Sequence, residues 1–450
     1  MQRRSVPPFE STIMATRRLP ATLRFLSAAR RSELQGLEDL VRTCELVTDI
    51  SRLVHALQKE RGYSNIYLSG TAPQHRQQLD QLSHEVGGLE RRVREGFERI
   101  EPDNLGAAEK TRLFTRIAYA LHGLDELPAL RRRIRDHRID MQDAIAVFIR
   151  LIGSLLAVVF EAADTAGEPD ITRSLVALFN FMQGKELAGQ ERALGVAGFA
   201  SGYFEPALLE RLERLLEGQE RCFDIFSRFC GPDALGRWQA FCISDANVQA
   251  CRLREVARRT SAGAAVDPHL CELWFDLHTA RIDLMQQVEQ QLEQDLLDRC
   301  RESSERIRTE LHNHRLLLDR LADMHAAAEQ AKLFDVHVSD LDATPQDGMT
   351  ARVARSTLEL LQSQSQRVQG LSEELREARQ ALNERKRVEQ AKQQLMKQQG
   401  LSESEAYAWL RQSAMNQGLS LAAVAERLLA ITGEVERSSK PRPPRPRSKH

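Results

Sequence analysis

The chain has 450 residues, of which 42% are hydrophobic and 28% charged, an ordinary globular balance with room for two or three domains. Aromatics make up only 5%, β-branched runs are scarce, and Leu, Ala, Arg, Glu and Gln dominate, which excludes a sheet-rich fold and favours helices throughout. The net charge of −1 conceals two cationic ends: residues 1–32 hold seven arginines and one acid, and residues 437–450 hold six basic residues and no acid.

Residues 1–33 are expected to form a disordered basic arm. Its arginines imitate an organelle transit peptide, but it lacks a long apolar segment, and Met14 is an alternative start. Seven cysteines, odd in number and without a CxxC pair, point to neither a disulfide framework nor a zinc site, so the cytoplasm is the natural compartment.

Residues 34–332 read as leucine-rich helical stretches separated by breaks such as Ala166 to Asp170, Gly202 to Pro206 and Gly231 to Asp233, about eight helices in one or two antiparallel bundles. The first long helix carries a stripe of Leu37, Leu40 or Val41, Cys44, Val47, Val54 and Leu57, and the next steps at helical spacing are Arg61 and Ser64. An arginine therefore falls on the buried line, where it needs a carboxylate or a bound anion. Ala144 to Ala163 is about the length of a membrane span, but Arg150 lies inside it, so a helix buried in a bundle is expected and no membrane partner.

A second stripe runs Leu178, Met182, Lys185, Gly189, Arg192 and Val196, again with cations facing inward. Two inward arginines on facing helices would cradle a small planar anion such as nitrate; alternatively Arg61 and Arg192 pair with Glu60, Glu186 or another acid.

Residues 333–350 break the helical pattern and read as a linker. In residues 351–384, Leu361, Val368, Leu375 and Leu382 recur every seven residues, with Leu371 and Ala378 between them. That seam fits a parallel coiled coil and hence a homodimer, or a single amphipathic helix docked on its own chain.

Residues 385–436 read as three short helices. The first carries Val388, Ala391 and Leu395 and stops at Gly400. The second follows Ser402 to Glu405, a capping box, and carries Ala406, Trp409, Leu410 and Ala414. The third begins at Ser420 with Leu421, Val424, Ala425 and Leu428 inward, and the proline-rich tail 437–450 is expected to be extended and disordered.

Ala391-Lys392, Leu395-Met396, Gly400, Glu405 to Tyr407, Leu410-Arg411, Ala414-Met415 and the Leu421/Val424-Ala425 pair resemble the ANTAR domain, a family that binds RNA. Gln393 departs from it, standing where that family commonly has glycine. Candidate RNA contacts are Lys386, Arg387, Lys392 and Lys397 for the backbone, Tyr407 and Arg411 for stacking or donation, and the amides of Gln412 and Asn416. Trp409 is expected inside.

The stretches QKERGYSNIYLSG, KELAGQERALG, VQACRLREV and Trp274 to Ile282 resemble the nitrate- and nitrite-sensing NIT domain. That resemblance implies paired helical bundles and a ligand site built on two arginines. Arg61 matches the first. Arg254 matches the second by order and separation, while Arg192 is favoured by helical phase.

The whole chain is thus expected to be all-α, and it resembles nitrate-responsive antiterminators, which implies leader mRNA hairpins as partners and nitrate or nitrite as regulatory ligand, with no other cofactor and no metal. No nucleophile elbow, metal cluster, P-loop or dinucleotide motif points to an enzyme. An anion-independent helical dimeriser is the alternative.

Overall fold

The computed structural model describes residues 21–68, 74–100, 107–260, 265–335, 375, 376, 379, 380, 382–401 and 403–439. Every regular element among them is a helix. Residues 1–20 of the amino-terminal arm, 336–350 of the linker, nearly all of the heptad seam and the tail from residue 440 lie outside the described residues, whereas 21–33 and 333–335 are helical. The last seam position, Leu382, is 1% exposed in the single chain, so its own chain covers it.

Among the described residues nine helices precede the linker: α1 (Ala21–Leu68), α2 (Gln74–Glu98), α3 (Ala107–Arg135), α4 (Met141–Thr165), α5 (Pro169–Ala200), α6 (Pro206–Phe229), α7 (Pro232–Cys242), α8 (Asp245–Arg259) and α9 (Leu270–Asp335). The starts of α5, α6 and α7 are set by proline at the first helical position, where its missing N–H costs nothing. Helix α8 is capped by the Ser244 hydroxyl, which accepts from the Asn247 backbone N–H. The α7–α8 break at Ile243 and Ser244 carries no glycine or proline and left no signal in the sequence.

Compact packing divides the chain into two units. The first takes residues 1–41 and 300–371; among its described residues Leu37, Leu40 and Ile307 are buried and Arg308 lies 3.9 Å from Glu38. The second takes residues 42–299 and 372–450. In it α3, α4, α5 and α6 pack in succession through short connections, which makes neighbours antiparallel.

Helix α5 is the centre of this unit. Ile171, Leu175, Leu178, Phe181, Met182 and Phe199 are buried on its several sides, so the polar residues on the same helix are sealed in with them. Helix α4 is long and apolar enough to cross a membrane, and its Phe148, Ile152, Leu155, Val159 and Ala163 are buried in the packed unit.

The carboxyl-terminal helices are α10 (residues 382–399), α11 (Glu403–Gln417) and α12 (Leu421–Ser439). Their core is Ala391, Leu395, Ala406, Leu410, Ala414, Val424 and Ala425, fringed by Val388, Leu421 and Leu428. The two turns rest on Gly400 at φ 67° and Gly418 at φ 60°, a left-handed conformation that other residues adopt at a cost. Trp409, expected inside, is instead 41% exposed. Leu410 already fills the centre of so small a core, and the indole is left on the flank.

Candidate anion site and its contact with the output helices

Arg61 near the end of α1 is 2% exposed, and it grips Glu186 of α5 with both ends of its fork, Nη1 donating at 2.5 Å and Nη2 at 3.1 Å. The same carboxylate accepts from Gln58 Nε2 at 2.9 Å and Gln190 Nε2 at 3.0 Å. Two glycines permit this crossing of α1 and α5. A methyl on Gly189 would lie 2.6 Å from Arg61 Nη2, and one on Gly62 would lie 2.6 Å from Arg192 Nη2, so each guanidinium rests on the other helix's glycine.

Arg192 is placed differently from Arg61. It is 7% exposed, donates to Thr279 Oγ1 at 3.0 Å and stacks 5.1 Å from the Phe275 ring centre; among the described residues no carboxylate lies within ion-pair distance of it. Burial, and then the charge of Arg61, lower its pKa to about 10, which leaves it a cation at neutral pH. It lines a cavity of about 330 Å³ together with Lys59, Gly62, Tyr63, Thr279 and Asp283, space enough for a small hydrated anion.

Arg254 of α8 lies apart from Arg61. Its Nε and Nη2 clamp Glu191 of α5 at 2.6 and 2.8 Å, and Arg281 of α9 adds a third bond to that carboxylate at 3.0 Å. Burial alone would raise the Glu191 carboxyl; the surrounding positive charge, that of Arg254 and Arg281 at neutral pH, more than reverses this and holds it well below the usual carboxylate range. His278 is fully buried against Trp274, with ring centres 3.9 Å apart, and among the described residues neither of its ring nitrogens has a hydrogen-bond partner.

Thus Arg61 and Arg192 share one place and Arg254 joins Arg281 at another, and Glu191, next to Arg192 on α5, belongs to the second. Across this belt Arg61, Arg254 and Arg281 are paired with the carboxylates of Glu186 and Glu191, whereas Arg192, among the described residues, has no carboxylate within ion-pair distance. A buried guanidinium so placed favours an added anion.

Sequence reading did not single out Arg281 or Thr279. Arg281 was legible by the logic that found Arg61, because Trp274, His278, Arg281 and Met285 form one buried helical stripe. The Lys59-Glu60 and Lys185-Glu186 pairs take different roles. Lys185 is sealed in against Glu289 and Gln286, whereas Lys59 is half-exposed, and Glu60 pairs with Arg131 of α3 at 2.7 Å.

Burial fixes a pH dependence of stability. It is the leading cause lowering His278 to about 3 and His55 to about 2, from 6.5. Both rings are neutral when folded, so the unfolded chain takes up protons first. Their contribution is fully present above pH 6.5 and is lost as pH falls through the interval below it, by about 1.4 kcal/mol per pH unit for each ring at full difference. Urea unfolding at pH 7, 6 and 5 is expected to show falling stability, with a shallower fall in His278→Phe; equal slopes would contradict it.

The output helices touch the sensor through the candidate RNA face itself. Arg411 Nη2 meets Glu217 of α6 at 2.9 Å, and Tyr407 lies under Arg221, 5.3 Å from its ring centre to the guanidinium. Lys386 reaches Asp164 of α4 at 3.3 Å, and Arg385 lies 4.9 Å from the ring centre of Phe179. Of the other candidates, Arg387 pairs with Glu426, Lys392 with Glu389, and Gln412 with Asn416 within the output helices, while Lys397 is exposed.

Helical bundles with buried arginines at their centre, joined to a three-helix module whose charged face they touch, define a ligand-responsive regulator. Residues 52–297 match the family described as nitrate and nitrite sensing, NIT, and residues 376–429 match the ANTAR domain. A nitrate regulatory protein from Klebsiella oxytoca is 32% identical over 412 residues, 92% of this chain and 96% of that protein. The solved structure of the NasR transcription antiterminator aligns with a TM-score of 0.56 and 31% identity over 92% of this chain and all of that one. The chain belongs to the NIT–ANTAR family of nitrate- and nitrite-responsive antitermination regulators.

Proposed function

We propose that this chain binds nitrate or nitrite on the Arg61, Arg192 and Arg254 belt, and that binding frees the output helices to hold leader mRNA hairpins and promote transcription antitermination. The observation that carries the reading is the double use of Tyr407 and Arg411. The side chains best suited to stack on and donate to splayed bases are those held by Arg221 and Glu217 of the sensor. With the helices docked, RNA competes with the sensor for them.

The anion enters the cavity at Arg192, whose guanidinium has donors to spare, and reaches Arg61 across the Gly62–Gly189 crossing. Arg254 completes the set when Glu191 gives way, since a carboxylate and a bound anion cannot share one fork. The ligand acts by its difference in affinity for docked and released states; a coupling of about 1 to 3 kcal/mol corresponds to roughly 5- to 150-fold in RNA affinity.

Arg387, Lys386, Lys392 and Lys397 hold phosphates while Gln412 and Asn416 read base edges. Two copies paired through the seam from Leu361 to Leu375, with Leu382 covered by its own chain, would present two such modules, matching two hairpins in one leader. A regulator of nascent transcripts works in the cytoplasm, and cysteines free of disulfides suit a reducing compartment. The reading assigns a switch and no catalytic step.

Isothermal titration of the full chain with nitrate, with chloride as control, tests the ligand. Saturable heat with nitrate and none with chloride is expected. Identical titrations would favour the anion-independent scaffold, in which Glu186 and Glu191 are the permanent partners of the arginines.

A further inference from the structure

We propose that Gln219 of α6 is the positioning residue through which occupancy of the arginine belt is read by the RNA-binding helices; this rests on the function proposed above. Gln219 is 3% exposed, and its amide bonds both members of one ion pair: Nε2 donates to Glu191 Oε2 at 2.8 Å and Oε1 accepts from Arg281 Nη2 at 3.1 Å. It therefore senses the relative position of carboxylate and guanidinium. When Glu191 leaves Arg254 and Arg281 for an incoming anion, at least one of these bonds is lost, and a buried amide cannot be left unpaired without cost. The turn of α6 that carries it must follow.

That turn is the one that holds the output helices. Glu217, two residues before Gln219, takes Arg411; Arg221, two residues after it, covers Tyr407; and Cys222 Sγ accepts from Arg385 Nη1 at 3.8 Å. Glu217 and Arg221 are four residues apart and share a helix face, and Gln219 points about half a turn away from them. One face of a single helical turn thus touches the belt and the other touches the RNA-binding module.

Helix α6 lies close against α5 at this level. A methyl on Gly218 would stand 2.8 Å from Leu187 Cδ1, and one on Gly184 would stand 2.6 Å from Phe223. With so little slack, displacement near Glu191 is passed to α6 rather than absorbed. Of the other docking contacts, Lys386 on Asp164 reaches α4 and bypasses Gln219, while Arg385 lies on Phe179 of α5 as well as against Cys222. The Lys386 contact contributes to docking without reporting on the belt.

The test uses the full chain and a two-hairpin leader RNA, with nitrate titrated in parallel. In the wild type, nitrate is expected to raise RNA affinity by roughly 5- to 150-fold. Gln219→Met keeps the volume and removes both hydrogen bonds; it should still bind nitrate, while its RNA affinity changes less than about 2-fold on adding nitrate. Arg411→Ala, which removes the clamp on α6, should make a further Gln219→Met substitution silent in the nitrate response. If Gln219→Met fails to fold, Gln219→Asn, which keeps the amide but shortens its reach, takes its place with the same expectation. A wild-type nitrate response in a folded Gln219 variant overturns the proposal. Absence of any nitrate response in the wild type overturns the function on which it rests.

Discussion

Arg61→Ala is expected to abolish nitrate binding and to destabilise the sensor together. Removing this guanidinium leaves Glu186 buried with only the Gln58 and Gln190 amides to satisfy it. Breaking a buried pair from one side typically costs about 3–5 kcal/mol, because the remaining charge is uncompensated. Arg61→Lys separates the two effects. It keeps a cation opposite Glu186 and so retains much of the stability, but it lacks the flat fork that a planar anion engages, and its nitrate response should be lost or strongly weakened. Gly189→Ala should act in the same direction from the other helix, since the added methyl occupies the place of Arg61 Nη2. Nitrate titration and urea unfolding on the same samples check these outcomes; undiminished nitrate affinity in Arg61→Ala would remove Arg61 from the site.

The second large effect is on the output. Glu217→Arg places a cation against Arg411 and is expected to give RNA binding without nitrate. Magnitudes explain why one charge suffices. Arg411 is 46% exposed in its pair with Glu217, and Lys386 is also partly exposed, so each ion pair is worth about 0–1 kcal/mol. The two cation–π contacts, Arg221 on Tyr407 and Arg385 on Phe179, add about 0.5–1 kcal/mol each. Docking held by a few kcal/mol is weak enough for an anion of modest coupling energy to reverse. Losing about 1–2 kcal/mol of it should raise ligand-free RNA affinity roughly 5- to 30-fold, read by fluorescence anisotropy of a labelled leader RNA. The belt is untouched, so nitrate affinity in the absence of RNA should stay within the same order. An unchanged ligand-free RNA affinity would show that this contact does not restrain the output.

Much of the fold was legible because it rests on periodicity and punctuation. Val388, Ala391, Leu395, Ala406, Leu410, Ala414, Leu421, Val424 and Ala425 read as one small core, and they form it. Trp409 failed because a helix-face argument ranks side chains by size and angle, whereas three short helices have room for only one large residue per turn. Arg61 and Arg192 were legible as cations on apolar stripes, and both are buried.

Their partners were less legible. Periodicity gives the direction of a side chain along its own helix and says nothing of which acid, 125 residues away, will meet Arg61. Nor could it show that Glu191, only one residue from Arg192, belongs to Arg254 and Arg281. Glu217 and Arg221 looked like ordinary solvated charges on α6. Their role depends on a domain that begins more than 150 residues later and that meets them through an ion pair and a cation–π contact, which helical periodicity does not announce.

The most direct measurement is the affinity of the full-length chain for a two-hairpin leader RNA at fixed ionic strength, with nitrate compared against chloride. Nitrate should tighten binding by roughly 5-fold or more, and Glu217→Arg should bind nearly as tightly in chloride alone. Equal wild-type affinities in the two salts, with nitrate bound to the protein, would contradict an anion-operated release of the RNA-binding face.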